Sequence, residues 1–134
     1  MNILLDTHIL LWSIANSSRV PNELRNIIED EENNIYFSIV SVWEVAIKNI
    51  ISNEILPIDE KKFIDYCDDI GIRELYLKNE HISCLHQLLK KDNTPKHNDP
   101  FDRLLLAQSM SEKLILYTHD KAMTYYNNDL VKLI

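Results

Sequence analysis

The sequence predicts an α/β fold, a three-layer arrangement in which a mostly parallel central sheet of about five strands is flanked by helices, formed as one domain over residues 1–134. Three observations predict it. Short apolar runs alternate with segments of helical period from one end to the other. No internal repeat, low-complexity tract or Gly/Ser/Pro linker interrupts that alternation. A length of 134 residues suits a single core and buries roughly two thirds of the unfolded surface. Strands separated by helices pair in parallel through right-handed crossovers, and such open sheets hold their ligands at the carboxyl ends of the strands.

The elements follow in order. Ile3 to Leu5 reads as a buried strand, with a helix from Ile9 to Ala15 behind it. Pro21 suits a first helical turn, and Leu24, Ile27 and Ile28 give the apolar face of a helix that runs out at Glu29 to Glu32. Ile35 to Phe37 is the second strand, followed at Ser38 and Ser41 by a helix carrying Val42, Val45, Ala46 and Ile50. Asp59 caps a helix reaching Ile70, with Phe63, Tyr66 and Ile70 facing inward and Gly71 as its left-handed stop. Strand Ile72 to Leu77 comes next, then a helix from Asn79 to Leu89 and a polar loop from Lys90 to Asn98. Asp99-Pro100 opens a helix bearing Leu104, Leu105, Ala107 and Gln108. Strand Leu114 to Tyr117, a short helix from Lys121 and a strand near Leu130 to Leu133 complete the series.

Composition excludes several classes of function. The only glycine is Gly71, and phosphate-cradling loops and dinucleotide fingerprints need several, so no nucleotide cofactor is expected. Lys+Arg 14 against Asp+Glu 21 gives a net charge of −7, so any contact with nucleic acid must be local. Cys67 and Cys84 lack a paired metal spacing and read as buried thiols of a reducing compartment. The first apolar run is broken by Asp6, with no basic stretch before it and no long apolar segment later, so a cytoplasmic protein without membrane contact is expected.

Polar residues at strand ends then become informative. Asp6 closes the first strand, Asp120 lies just past the fourth, Glu44 sits within a turn of the second, and Asp102 opens a helix. All four should share one edge of the sheet. Carboxylates without a matching set of His or Cys ligands suit a hard cation, Mg²⁺ or Mn²⁺, and one or two such ions can activate water against a phosphodiester. Each acid also has a structural explanation. Asp6 and Asp99 can cap helices, Asp102 favours a helix N-terminus, and Ser41 with Glu44 makes a capping box.

The stretches Leu4-Leu5-Asp6-Thr7-His8, Ser38 to Lys48, Asp99 to Gln108 and Thr118-His119-Asp120 together resemble the PIN-domain nucleases. Within them they are most similar to the VapC-type toxins of toxin-antitoxin pairs. The resemblance spans nearly the whole chain in the right order. It implies a Rossmann-like five-stranded parallel sheet and metal-dependent cleavage of single-stranded or looped RNA. Asp6, Glu44, Asp102 and Asp120 match the family's acidic quartet, as catalytic residues and as ligands of Mg²⁺ or Mn²⁺, and Asp99 belongs to a motif typical of this branch. A cognate VapB-like antitoxin, placing an Arg or Lys among Asp6, Glu44 and Asp102, and a homodimer are the implied partners. One departure stands out: many relatives carry a glycine and a lysine after the Glu44 helix, where this chain reads Ile51-Ser52-Asn53-Glu54.

Other residues have weaker claims. Thr7, Ser38 and Thr118 sit beside the acids and can orient water or a carboxylate, although helix capping explains the first two equally well. His8, His97 and His119 fall in or near the motifs and read as bystanders rather than ligands. Lys48 pairs with Glu44 across a helical turn. Lys90, Lys91, Lys96, His97 and Arg103 form the local positive charge near Asp102, either as solvated surface or as a path for a phosphate backbone. Trp12 and Trp43 read as core. Two further functions compete with RNA cleavage: a non-catalytic PIN-like scaffold that binds RNA or a protein, and a receiver-like pocket phosphorylated on Asp6, which explains neither Glu44 nor Asp102.

Overall fold

The computed structural model describes residues 1–134. Five strands, β1 (Asn2–Leu5), β2 (Asn34–Ser38), β3 (Arg73–Leu75), β4 (Ile115–Thr118) and β5 (Val131–Leu133), form one sheet in the order β3-β2-β1-β4-β5. Every neighbouring pair is parallel, with Ile3 opposite Ile35 on one side and Ile115 on the other. The α-helices are α1 (Thr7–Ile14), α2 (Asn22–Glu29), α3 (Ile39–Ile51), α4 (Glu60–Asp69), α5 (Asn79–Cys84) and α6 (Pro100–Glu112). The chain steps outward from β1 to β2 and β3, then returns to the far side of β1 as β4. The order therefore reverses between β1 and β4, which is where an open α/β sheet leaves a crevice.

Side chains alternate across the strands and divide the apolar interior in two. Ile3, Leu5, Ile35 and Phe37 pack with Ile9, Leu10, Leu24, Val45, Phe63 and Cys67 on one face. Leu4 and Leu116 pack with Leu105, Leu106, Leu88, Met123 and Tyr126 on the other. The expected single core is thus two clusters, because a sheet covered by helices on both faces separates them. No helix is long and apolar enough to cross a membrane.

Several element boundaries differ from those expected, each for a local reason. α1 begins at Thr7 rather than Ile9, since Asp6 caps it by accepting from the Thr7 amide at 2.7 Å. The cap of α3 is Ser38, whose hydroxyl accepts from Val40 N at 3.0 Å. Ser41 and Glu44 therefore lie inside the helix and form no capping box. α5 stops at Cys84 and tightens into a 3₁₀ turn over Leu85–Gln87, and the segment after Asp120 is likewise 3₁₀, over Lys121–Tyr125. β3 is limited to three residues by its pairing with β2.

On α4 the inward face is Phe63 and Cys67, one helical turn apart, whereas Tyr66 and Ile70 are exposed. Phe63 meets Phe37 edge to face at 6.0 Å. Ile50 and Trp43, expected inside, are also exposed, Trp43 resting edge-on against Phe101 at 4.8 Å. At the end of α4 the amides of Gly71 and Ile72 reach back to the carbonyls of Asp68 and Cys67, and Gly71 takes φ +79°. An added Cβ there meets nothing within 4 Å, so Gly71→Ala is strained only by its dihedral. We expect it to cost about 1 kcal/mol in urea denaturation with no change in slope.

Candidate metal centre at the sheet switch point

The crevice between β1 and β4 is built from the chain ends of those strands. The Asp6 amide donates to Tyr117 O at 3.0 Å, extending the ladder by one bond, and then the backbone turns into α1. This leaves the Asp6 carboxylate buried. Its Oδ1 accepts from Thr7 N, and its Oδ2 accepts from the Thr118 hydroxyl at 2.6 Å. Thr118 Oγ1 also accepts from the Asp120 amide at 3.0 Å, so one threonine fixes both strand-end acids. Asp120 in turn accepts from Ala122 N at 2.9 Å, which caps the following 3₁₀ turn.

Glu44 reaches the same region from the buried side of α3. Its Oε1 accepts from Thr7 Oγ1 at 2.8 Å, and its Oε2 pairs with Lys48 Nζ at 2.7 Å. Because the Thr7 proton is committed to the carboxylate, Ser41 Oγ, 2.8 Å away, is the donor in its contact with Thr7. Asp102 enters from the first turn of α6. That helix is positioned by Asp99, which accepts from the amides of Phe101 at 2.9 Å and Asp102 at 3.3 Å.

Burial and mutual repulsion act on these acids together. Desolvation raises the Asp6 carboxyl above its usual range in spite of its bonds to Thr118 and Thr7. Asp102 is pushed up to about 8, first by burial and then by the charges of Asp99, Asp6, Asp120 and Glu44. The charges of the acids in all four motifs are therefore felt at Asp102. A proton is also held beside Asp102. Tyr126 donates its hydroxyl proton to His97 O at 3.2 Å, so His97 Nδ1 must supply the hydrogen of its 2.9 Å contact with that hydroxyl. His97 Nε2 lies 3.0 Å from Asp102 Oδ2, and this contact requires a second proton, on the carboxyl or on the ring.

His97, Asp102 and Asp120 each offer one ligand atom within 4.8 Å of the others. His97, expected as a bystander, lies with Asp102 and Asp120 in this group. The sequence placed His97 near Asp102 as local positive charge, but its 3.0 Å contact with the Asp102 carboxylate depends on how the loop after Lys90 folds. Asp6 and Glu44 lie outside this group, each with both carboxylate oxygens accepting from neighbouring side chains or amides. Ser38 is directed elsewhere, its hydroxyl donating to Gln108 Oε1 at 2.5 Å and accepting from Val40 N, with no hydrogen bond to any of the acids. Arg103 lies one residue past Asp102, partly buried, with its charge acting on Tyr126. Of the loop lysines, Lys90 is spent on the carbonyls of Thr94 and Pro95. A donor set of carboxylate oxygens with one imidazole fits a hard divalent cation such as Mg²⁺ or Mn²⁺ better than a thiolate-seeking metal. Cys67, which burial pushes up to about 12, is remote from this chemistry.

An all-parallel sheet whose switch point gathers buried acids defines an α/β protein built around a cation-attracting crevice. The chain belongs to the PIN domain family, whose model matches residues 3–128. Its fold is similar to that of a solved structure from Rickettsia felis, described as VapBC2 bound to a DNA fragment from their promoter. The TM-score is 0.73, over 100% of this chain and 99% of that one, at 16% identity. Comparison with curated protein sequences gives no match.

Proposed function

We propose that the protein is a VapC-type toxin, an endoribonuclease that hydrolyses RNA phosphodiester bonds with one or two Mg²⁺ or Mn²⁺ ions. Asp6, Asp102 and Asp120 would hold the cation, with His97 within reach and Glu44 behind them. The observation that carries the reading is Asp102, a carboxyl kept near several others at the sheet switch point. Such crowding costs the fold free energy unless a cation offsets it, and strongly perturbed acids in a crevice mark functional sites. A bound Mg²⁺ or Mn²⁺ supplies Lewis acidity toward the phosphoryl oxygens and makes an attacking water more acidic.

The chain's own groups do the rest. Thr7 and Thr118 lock the Asp6 and Glu44 carboxylates in single orientations, so the acids are preorganised. Lys48 balances Glu44. His97 Nε2, next to Asp102 Oδ2, is placed to take up a proton and return it to the leaving oxygen. The family match supports nuclease chemistry, and the likeness in fold to VapBC2 supports a two-component system. We extend that to a VapB-like antitoxin whose Arg or Lys enters among Asp6, Glu44 and Asp102, and to a homodimer.

The test is cleavage of a mixed RNA pool by the purified chain. Cleavage is expected with Mn²⁺ or Mg²⁺ and none in EDTA. Intact RNA at millimolar concentrations of either cation, or cleavage that persists in EDTA, overturns the proposal.

A further inference from the structure

A pocket of about 380 Å³ opens at the acids, lined by Asp6, His8, Trp12, His119, Asp120 and Lys121. That volume is within the range of small-molecule sites. Three of its six lining residues carry rings, His8, Trp12 and His119, and the other three are charged. His8 and Trp12 lie one turn apart on α1, with ring centroids 6.3 Å from each other. His119, arriving from the end of β4, meets Trp12 edge to face at 4.9 Å. Its ring is held there because Nδ1 donates to Ile134 O at 3.2 Å, which leaves Nε2 without a protein partner. Arg19 places its guanidinium 5.5 Å from the Trp12 ring centroid, and Lys121 is exposed at the rim. Trp12 packs against the first apolar cluster but is only partly buried, so the core does not consume all of its surface.

We propose that this pocket is a nucleobase subsite, which takes the base of a nucleotide flanking the scissile phosphate. The inference rests on the RNA-cleaving reading above. Asp6 and Asp120 line the pocket and also belong to the metal centre, so a nucleotide whose phosphate meets the acids has its base within reach of the three rings. Aromatic stacking tolerates any base, while His119 Nε2 and the cationic rim offer contacts to base edges and to the next phosphate. An acidic protein needs such local binding, because its net charge of −7 gives RNA no general attraction. The exposed Arg19 side chain is free to swing aside when a base enters.

The experiment reads Trp12 directly, since the chain has only two tryptophans. The Trp43→Phe protein in EDTA is titrated with a short single-stranded RNA, with inorganic polyphosphate and with an arginine-rich peptide. The expected result is quenching of Trp12 fluorescence by RNA and none by polyphosphate or peptide. Trp12→Ala should weaken RNA binding roughly ten- to a hundredfold, and Trp12→Phe should restore most of it. Equal quenching by polyphosphate, quenching by peptide alone, or unchanged RNA affinity in Trp12→Ala overturns the subsite. Should Trp12→Ala fail to fold, the quenching arms decide. If Mn²⁺-dependent cleavage persists while these arms fail, only the subsite is wrong; if no RNA is cut or bound under any condition, the nuclease reading has failed first.

Discussion

Asp102→Asn is expected to lower Mn²⁺-dependent RNA cleavage by more than about a hundredfold, the upper end of what loss of a supporting partner costs a metal site, and to raise the melting temperature of the metal-free protein. The two effects have one cause. Asp102 stands near four other acids and is deprived of solvent, so its negative charge opposes folding while it attracts a cation. An amide of the same shape removes the charge, and its NH₂ can donate to His97 Nε2 in place of the proton now held there. A residue present for stability would behave in the opposite way. Asp99→Ala supplies that contrast, because Asp99 caps α6 through two amides and its loss should lower stability by about 1 kcal/mol. Thermal melts in EDTA and a fluorescent RNA assay on both variants check the prediction. A lower melting temperature for Asp102→Asn would assign its carboxylate a structural role.

The strand ends were legible from sequence because alternation and capping chemistry are local. Ile3 to Leu5, Asp59 and Gly71 each announce an element within a few residues, and the structure places them in those roles. The grouping of Asp6, Glu44, Asp102 and Asp120 at one edge followed from parallel crossovers, so it too was accessible. What escaped were the side-chain contacts set by tertiary packing. His97 joins Asp102 only because the loop from Lys90 folds back against Tyr126, through the isolated bridge between those two residues. Trp43 and Ile50 carry the residue types of a core, yet α3 turns them to solvent while Val40 and Val45 occupy the two clusters. Ser38 matches a motif position beside the acids, and its rotamer instead meets Gln108, seventy residues away in sequence. Sequence pattern identifies which residues reach a sheet edge. Which of them face one another depends on side-chain directions across elements that are distant along the chain.

The metal-free protein should lose stability as pH rises from about 5 to 8, by an amount of the order of 10 °C in melting temperature. The sign follows from linkage. In the unfolded chain Asp102 titrates near its ordinary value of 3.8, and in the folded protein at about 8. Between these values the folded state binds the extra proton, so stability is fully present below the lower value and is lost as pH climbs through the higher one. Asp6, raised in the same direction, adds to the loss. Each pKa unit of difference corresponds to about 1.4 kcal/mol, so even half of the Asp102 difference amounts to about 3 kcal/mol. A divalent cation competes with that proton for the same oxygens. Millimolar Mn²⁺ should therefore raise the melting temperature strongly at pH 8 and only weakly at pH 5.5, with proton release on binding at the lower pH. The decisive comparison is with Asp102→Asn, which keeps every other ionisable group and should show a flatter pH profile and a smaller Mn²⁺ shift. Parallel profiles for the two proteins, in EDTA and in Mn²⁺, would mean that the acids are screened from one another by solvent and that the crevice holds no cation.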